Sequence, residues 1–230
     1  MILQSAIKRN IKKFIKKTFN VFGLEIKRLG SSSSLYDRDL SDYRGMSNLL
    51  KTVVKIGFKP ETVIDIGVAY GTPALYENFR NSHHLLIEPL KEWEGALKKI
   101  CQEYNAEYVL AAVGAKAGVT TINIETILSD STTYKVLSGI GKTITKREIP
   151  VFTVDKLLRE KMAKAPYLIK IDVQGGELDV LDGAKEALEN TELVIIEVSF
   201  FPVYENAPNC FDAIKYMKER GFVIYDVFDF

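Results

Sequence analysis

Sulfur, histidine and tryptophan are scarce in these 230 residues: two cysteines, two histidines and one tryptophan. Cys101 and Cys210 are too few and too far apart for a disulfide framework or a CxxC pair. The plain inference is a reduced, cytoplasmic setting. No apolar run approaches the ~18–20 residues that a membrane-spanning helix needs. No His/Cys/carboxylate set has recognised metal spacing, so no metal site is assigned. No Gly-Lys-Ser/Thr follows a glycine turn and no full GxGxxG occurs. That disfavours nucleoside triphosphates and weakens dinucleotides as ligands. There is no internal repeat. What remains is ordinary globular material, 47% hydrophobic and 27% charged, which excludes wholesale disorder. The length suits one domain plus a tail.

Charge of one sign is missing locally. Residues 1–30 hold eight basic groups and the single acid Glu25, a net +7, and the remainder is net −6. Over residues 1–22, Ile7, Ile11, Phe14, Ile15, Phe19 and Phe22 recur at spacings of three and four, with lysines opposite. This predicts a basic amphipathic helix over 1–28. It is not a secretory signal, because lysines interrupt any apolar core region. Two readings stay open: a helix lying on an anionic membrane surface, peripheral on the inner membrane, or a helix docked on the body with solvated lysines. Nucleic acid is not expected, since no stacking aromatics or binding module accompany the lysines. Residues 29–44, with Gly30 and the run Ser31 to Ser34, read as a linker, and 45–230 as the main domain.

After the linker, short apolar runs alternate with helical stretches. The runs are Thr62–Ile66, Leu85–Glu88, Tyr108–Val113, Tyr167–Asp172, Leu193–Val198 and Phe222–Phe228. Helices are expected near 46–56, 73–79, 91–104, 176–190 and 209–220. Runs that are apolar throughout imply strands covered on both faces, and so a parallel sheet. The alternation implies an open, doubly wound α/β fold. The polar stretch 125–145 reads as a long loop, of the kind that is usually functional.

Two segments carry chemistry. In Val63-Ile64-Asp65-Ile66-Gly67-Val68-Ala69-Tyr70-Gly71-Thr72-Pro73, a buried strand enters a glycine turn. Thr72 is a candidate cap and Pro73 suits the first helical position. Glu88 closes the next strand, where an acid can accept hydrogen bonds from ribose hydroxyls. In Ile169-Lys170-Ile171-Asp172-Val173-Gln174-Gly175-Gly176-Glu177, Asp172 falls at a strand's carboxyl end. Glu197 closes the apolar run before Ser199. If these strands are neighbours, Asp172 and Glu197 flank one crevice. The bland alternatives are an Asp172 paired with Lys170 and a Glu197 capping a loop. His83 and His84, at the amino end of the second strand, read as surface or structural.

Taken together, DIGxxxG, Glu88-Pro89, Val151-Phe152-Thr153-Val154-Asp155, KIDVQGxE with Leu181 to Ala184, and IIEVS resemble the FkbM family of methyltransferases. The resemblance covers roughly residues 45–230. It implies a Rossmann-like class I fold, S-adenosylmethionine as cofactor, and O-methylation of a hydroxyl on a saccharide, glycan or similar metabolite. It implies that Asp65, Gly67, Tyr70, Gly71, Glu88 and Pro89 bind the cofactor, Glu88 through the ribose. It also implies that Asp172, with Glu197 nearby, sits where the methyl moves. Departures are Ala69, where relatives often carry Asn, and Gly176, where they carry a bulkier residue. A further departure is the missing final strand of the closing hairpin, which leaves open a fragment, a second subunit, or a fold kept as an inactive scaffold.

Overall fold

Strands with apolar residues on both faces need cover on both faces, and the helices supply it. The computed structural model describes residues 45–135, 137, 143–201 and 203–228, all within one compact unit. The expected helix over 1–28 and the linker over 29–44 lie outside the described residues. Helix α1 (Met46–Lys55) leads into β1 (Thr62–Ile66), α2 (Pro73–Asn78), β2 (His83–Glu88), a 3₁₀ turn (Lys91–Trp93) and α3 (Glu94–Glu103). Next come β3 (Ala106–Leu110), β4 (Ala112–Val113), β5 (Gly118–Glu125), a 3₁₀ turn (Leu128–Asp130), β6 (Thr143–Phe152) and α4 (Val154–Glu160). The remainder is β7 (Tyr167–Ile171), α5 (Glu177–Asp182), α6 (Lys185–Leu188), β8 (Thr191–Ile196) and α7 (Cys210–Lys218).

Five parallel strands form one sheet in the order β3-β2-β1-β7-β8. Alternation along each strand divides its side chains between two cores. Ile64, Ile66, Leu85, Ile87, Ile169 and Ile171 pack with Val154 and Leu157 of α4 and with Val180 and Leu181 of α5. Val63, Leu86 and Leu168 face the other way, onto Leu50 of α1, Leu75 and Tyr76 of α2, and Leu97 of α3. Each such buried Leu, Ile or Val contributes roughly 1.5–3 kcal/mol relative to exposure, so stability concentrates in β1, β2 and β7. The chain is thus a doubly wound, Rossmann-like α/β protein. A second sheet, β4-β6-β5, pairs β4 parallel and β5 antiparallel with β6. Its small core is Leu90, Ile122, Ile124 and Ile149. The Arg147 guanidinium on β6 donates to both Glu92 oxygens, at 2.9 and 2.6 Å. That pairing ties the small sheet to the turn carrying Trp93.

The structure corrects several expectations. Tyr108–Val113 is not one strand. It breaks at Ala111, whose N–H donates to the Glu88 carbonyl at 3.1 Å, so β3 and β4 enter different sheets. The helix expected over 176–190 breaks at Gly183, where a Cβ would lie 2.2 Å from the Gly114 carbonyl oxygen. The loop expected over 125–145 ends early, because β6 already begins at Thr143. Strand β8 is an edge strand, so Leu193, Val194 and Ile196 are half-buried rather than covered on both faces. The run Phe222–Phe228 is not a strand: 222–228 has no regular structure, and Val223 is 86% exposed. Its composition favours a strand, but a strand needs a partner. Among the described residues the parallel sheet ends at β8.

Candidate active site

Strand order reverses between β1 and β7, so the loops leaving their carboxyl ends diverge and open a crevice. A cavity of about 890 Å³ lies there. Gly67 sets its floor. Its φ is +76°, and a Cβ would fall 1.6 Å from the Asp172 carbonyl oxygen. Only glycine lets the exits of β1 and β7 meet this closely. The two exits are latched by the neighbouring backbone: Gly67 N–H donates to Ile87 O at 2.9 Å and Asp172 N–H to Ile66 O at 3.0 Å.

Beneath that floor sits a buried cation. Lys170 on β7 is 6% exposed. Its Nζ donates to Gly67 O at 2.9 Å and to Asp172 Oδ2 at 3.2 Å, and lies 3.5 Å from Asp65 Oδ1. Burial works against its charge, but the Asp65 and Asp172 carboxylates outweigh it and raise the pKa. Asp65 is fully buried and stands behind the cavity instead of lining it. Its Oδ2 accepts from the Tyr76 hydroxyl at 2.6 Å. Burial first, then Asp65, push that hydroxyl far upward, so it stays protonated. The Tyr76 oxygen in turn accepts the Thr72 N–H at 2.9 Å. Thr72 makes no side-chain cap hydrogen bond, contrary to expectation, while Pro73 does open α2.

Gly67, Tyr70, Gly71, Glu88, Pro89, Asp172 and Glu197 all line the one cavity. Glu88 is buried, with Oε2 accepting from Ala69 N–H at 2.9 Å and Oε1 from Leu90 N–H at 2.8 Å. Burial raises its pKa against the pull of those two bonds. Each carboxylate oxygen keeps a lone pair for a further donor. Tyr70, 72% exposed, meets the Trp93 ring edge-on, centroids 6.2 Å apart. His83 and His84 are the first two residues of β2 and lie outside the cavity lining. His84 is buried, its Nε2 3.0 Å from the Phe79 carbonyl, and burial lowers its pKa.

At the other end of the cavity, β7 and β8 are neighbours, so Asp172 and Glu197 do flank one crevice. Gln174 joins them: its Nε2 donates to Asp172 Oδ1 at 2.9 Å and to Glu197 Oε1 at 3.4 Å. Glu197 follows β8 at the exposed rim. Shielding of its carboxyl, then the like charge of Asp172, push its pKa up to about 7. Solvent at the rim partly screens the pair. Asp172 both pairs with Lys170 and faces the crevice, so the two sequence readings of it coexist. Of the loop expected over 125–145, residues 129–133 line the cavity. Tyr134 instead donates its hydroxyl to Asp179 Oδ2 at 2.8 Å. Among the described residues, no three His, Cys, Asp or Glu side chains gather as a metal set, and no helix is long and apolar enough to cross a membrane.

Sequence reasoning gave no role to Tyr76, Gln174 or Tyr204. Gln174 stood inside a quoted motif, two residues after Asp172, and that adjacency was a usable signal. Tyr204 had none, because it reaches Gln174 from an irregular segment.

Residues 65–224 match the sequence model of the methyltransferase FkbM domain. The hexuronic acid methyltransferase AglP of Haloferax volcanii is 22% identical over 160 residues. That alignment covers 69% of this chain and 64% of that protein, so the chain spans less than two thirds of the relative's length. No solved structure matches the chain.

Proposed function

The chain belongs to the FkbM methyltransferase family, and from that premise we propose that it moves a methyl group from S-adenosylmethionine to a hydroxyl of a saccharide. The observation that carries this reading is one cavity with two chemically different ends. At the first end are the glycine turn, the buried Glu88 and the apolar Pro89, Leu90 and Ala111. This donor set fits an adenosine-bearing sulfonium. Glu88 has lone pairs for two hydroxyls, and apolar neighbours suit a purine. When bound, the cofactor supplies an electrophilic methyl group.

The chain's own residues supply the rest. The latched Gly67 turn fixes one wall, and Lys170 fixes Asp172 beside it, so that the reacting groups are held in place beforehand. An alcohol is a poor nucleophile and needs a proton acceptor. Asp172 is committed to Lys170 and Gln174, and so serves as an anchor. Glu197, at the rim and poised near neutrality, takes the hydroxyl proton. The hydroxyl-rich 129–133 segment suits a sugar. The relative's name makes an acidic sugar the first acceptor to try.

The test is methyl transfer from labelled S-adenosylmethionine to uronic-acid-containing and neutral glycans, followed by mild alkali. Label that survives alkali is an ether on a hydroxyl, as proposed. Label released by alkali is an ester on a carboxyl, which would remove the need for a base and overturn Glu197's role. For the basic segment 1–22, we extend the proposal to an anionic membrane surface. A chain lacking residues 1–30 should leave anionic vesicles yet keep its affinity for S-adenosylhomocysteine. Retained vesicle binding contradicts the tether.

A further inference from the structure

We propose that Gln174 is a positioning residue that couples a two-segment strap beside the cavity to the carboxylate pair. The proposal rests on the reading of Glu197 as proton acceptor. The strap is built from residues 132–135 and 137 on one side and 203–207 on the other. Glu205 N–H donates to Lys135 O at 2.8 Å and Leu137 N–H to Val203 O at 3.1 Å. Lys135 Nζ meets Glu205 Oε2 at 2.7 Å. The strap's outer segment is anchored to the small sheet, where Asn123 and Thr132 exchange backbone hydrogen bonds of 2.8 and 3.1 Å.

Each half of the strap sends one hydroxyl to Gln174. The Thr132 hydroxyl donates to the Gln174 carbonyl at 2.5 Å. The Tyr204 hydroxyl donates to Gln174 Oε1 at 2.6 Å. The second contact fixes the amide's orientation. A hydroxyl donor facing Oε1 leaves Nε2 aimed at Asp172 and Glu197, whereas a flipped amide would turn its oxygen on two carboxylates. Tyr204 is buried, and its ring packs on Gly175, where a Cβ would come within 3.0 Å of it. Gln174 itself has a φ of +58°, a conformation that non-glycine residues adopt only when their surroundings hold them there. The strap is what holds it.

The charge environment of Glu197 is set by few groups. Lys170 and Asp172 face it from β7 and its exit, Gln174 from the turn, and Tyr204 from the strap. Glu177 of α5 and Asp130 lie around Tyr204. Within this set, Gln174 donates to the ionised form of Glu197 and lowers its pKa, opposing burial and Asp172. Releasing the amide therefore raises the Glu197 midpoint.

The experiment is an NMR titration of carboxyl-labelled Glu197 in the full chain, with S-adenosylhomocysteine affinity measured alongside. Gln174→Leu should move the midpoint up by about one unit. Tyr204→Phe and Thr132→Val should move it the same way by less, and Tyr204→Phe should keep cofactor-product affinity within about twofold. Midpoints unchanged in both strap variants, while Gln174→Leu moves it, would overturn the coupling. An unmodified chain whose Glu197 titrates in the ordinary carboxylate range would overturn the base assignment instead. Strap variants that still shifted it would leave the coupling standing.

Discussion

The seam between β1 and β7 and the edge at β8 are built on opposite terms. At the seam, six apolar residues of β1 and β7 are under 2% exposed, among them Ile64 and Ile169. Its charges, Asp65 and Lys170, neutralise each other out of water. At the edge, β8 is half-covered, Glu197 meets solvent, and Phe200, Phe201, Val223 and Ile224 are exposed. The seam is a fixed platform, where the buried Lys170 charge is tolerated because the Gly67 carbonyl, Asp172 and Asp65 surround it. The edge holds Glu197, whose carboxyl is pushed up to about 7 and meets solvent. Rigidity and reactivity are thus divided between neighbouring strands, with Gln174 as the joint.

The strongest way to break the comparison is at Gly67. With a Cβ 1.6 Å from a carbonyl oxygen, Gly67→Ala must part β1 from β7. It should cost more than about 4 kcal/mol in urea unfolding, and a cost under 1 kcal/mol would mean the two exits do not touch. Lys170→Met comes next, at about 3–5 kcal/mol, because it leaves the buried Asp65 charge without its cation. Glu197→Gln should show the reverse pattern. Stability should hardly change, while methyl transfer falls about 10²–10⁴-fold and the acidic limb of kcat/KM disappears. In the unmodified enzyme that limb should rise with pH up to about 7, as the raised carboxyl ionises. Equal stability losses for Lys170→Met and Glu197→Gln would erase the distinction between seam and edge. Tyr76→Phe removes the one hydroxyl on Asp65 and should cost about 1–3 kcal/mol. Val223→Ser, at the far end of the exposed run, should stay within about 0.5 kcal/mol.

The seam was also the legible part. Val63 to Ile66 and Leu168 to Ile171 carry apolar residues on both faces, each with one charge, Asp65 or Lys170, and such runs have few homes besides the middle of a parallel sheet. The glycine turn and the acid closing β2 lie within one strand–turn–helix–strand unit, so their spacing survives folding. The end of the sheet was harder to read. Phe222–Phe228 has strand composition, yet pairing is a long-range property that composition does not contain. Asp65 shows the same limit within a site. The family resemblance implied that it binds the cofactor, but alternation turned it onto the α2 face, toward Tyr76 and Lys170. Glu88, on the adjacent strand β2, kept its place in the lining because its carboxylate is held by the N–H groups of Ala69 and Leu90. Tyr204 reaches Gln174 over thirty residues, through a segment without period, and only the folded chain brings them together.

The cavity at the seam should hold a methyl donor. Calorimetric titration of the full chain with S-adenosylhomocysteine tests it most directly, because the product needs no acceptor to bind. The account predicts micromolar binding, weakened at least about tenfold by Glu88→Ala and unchanged by Val223→Ser. The absence of binding to a folded chain, or binding indifferent to Glu88, would contradict it.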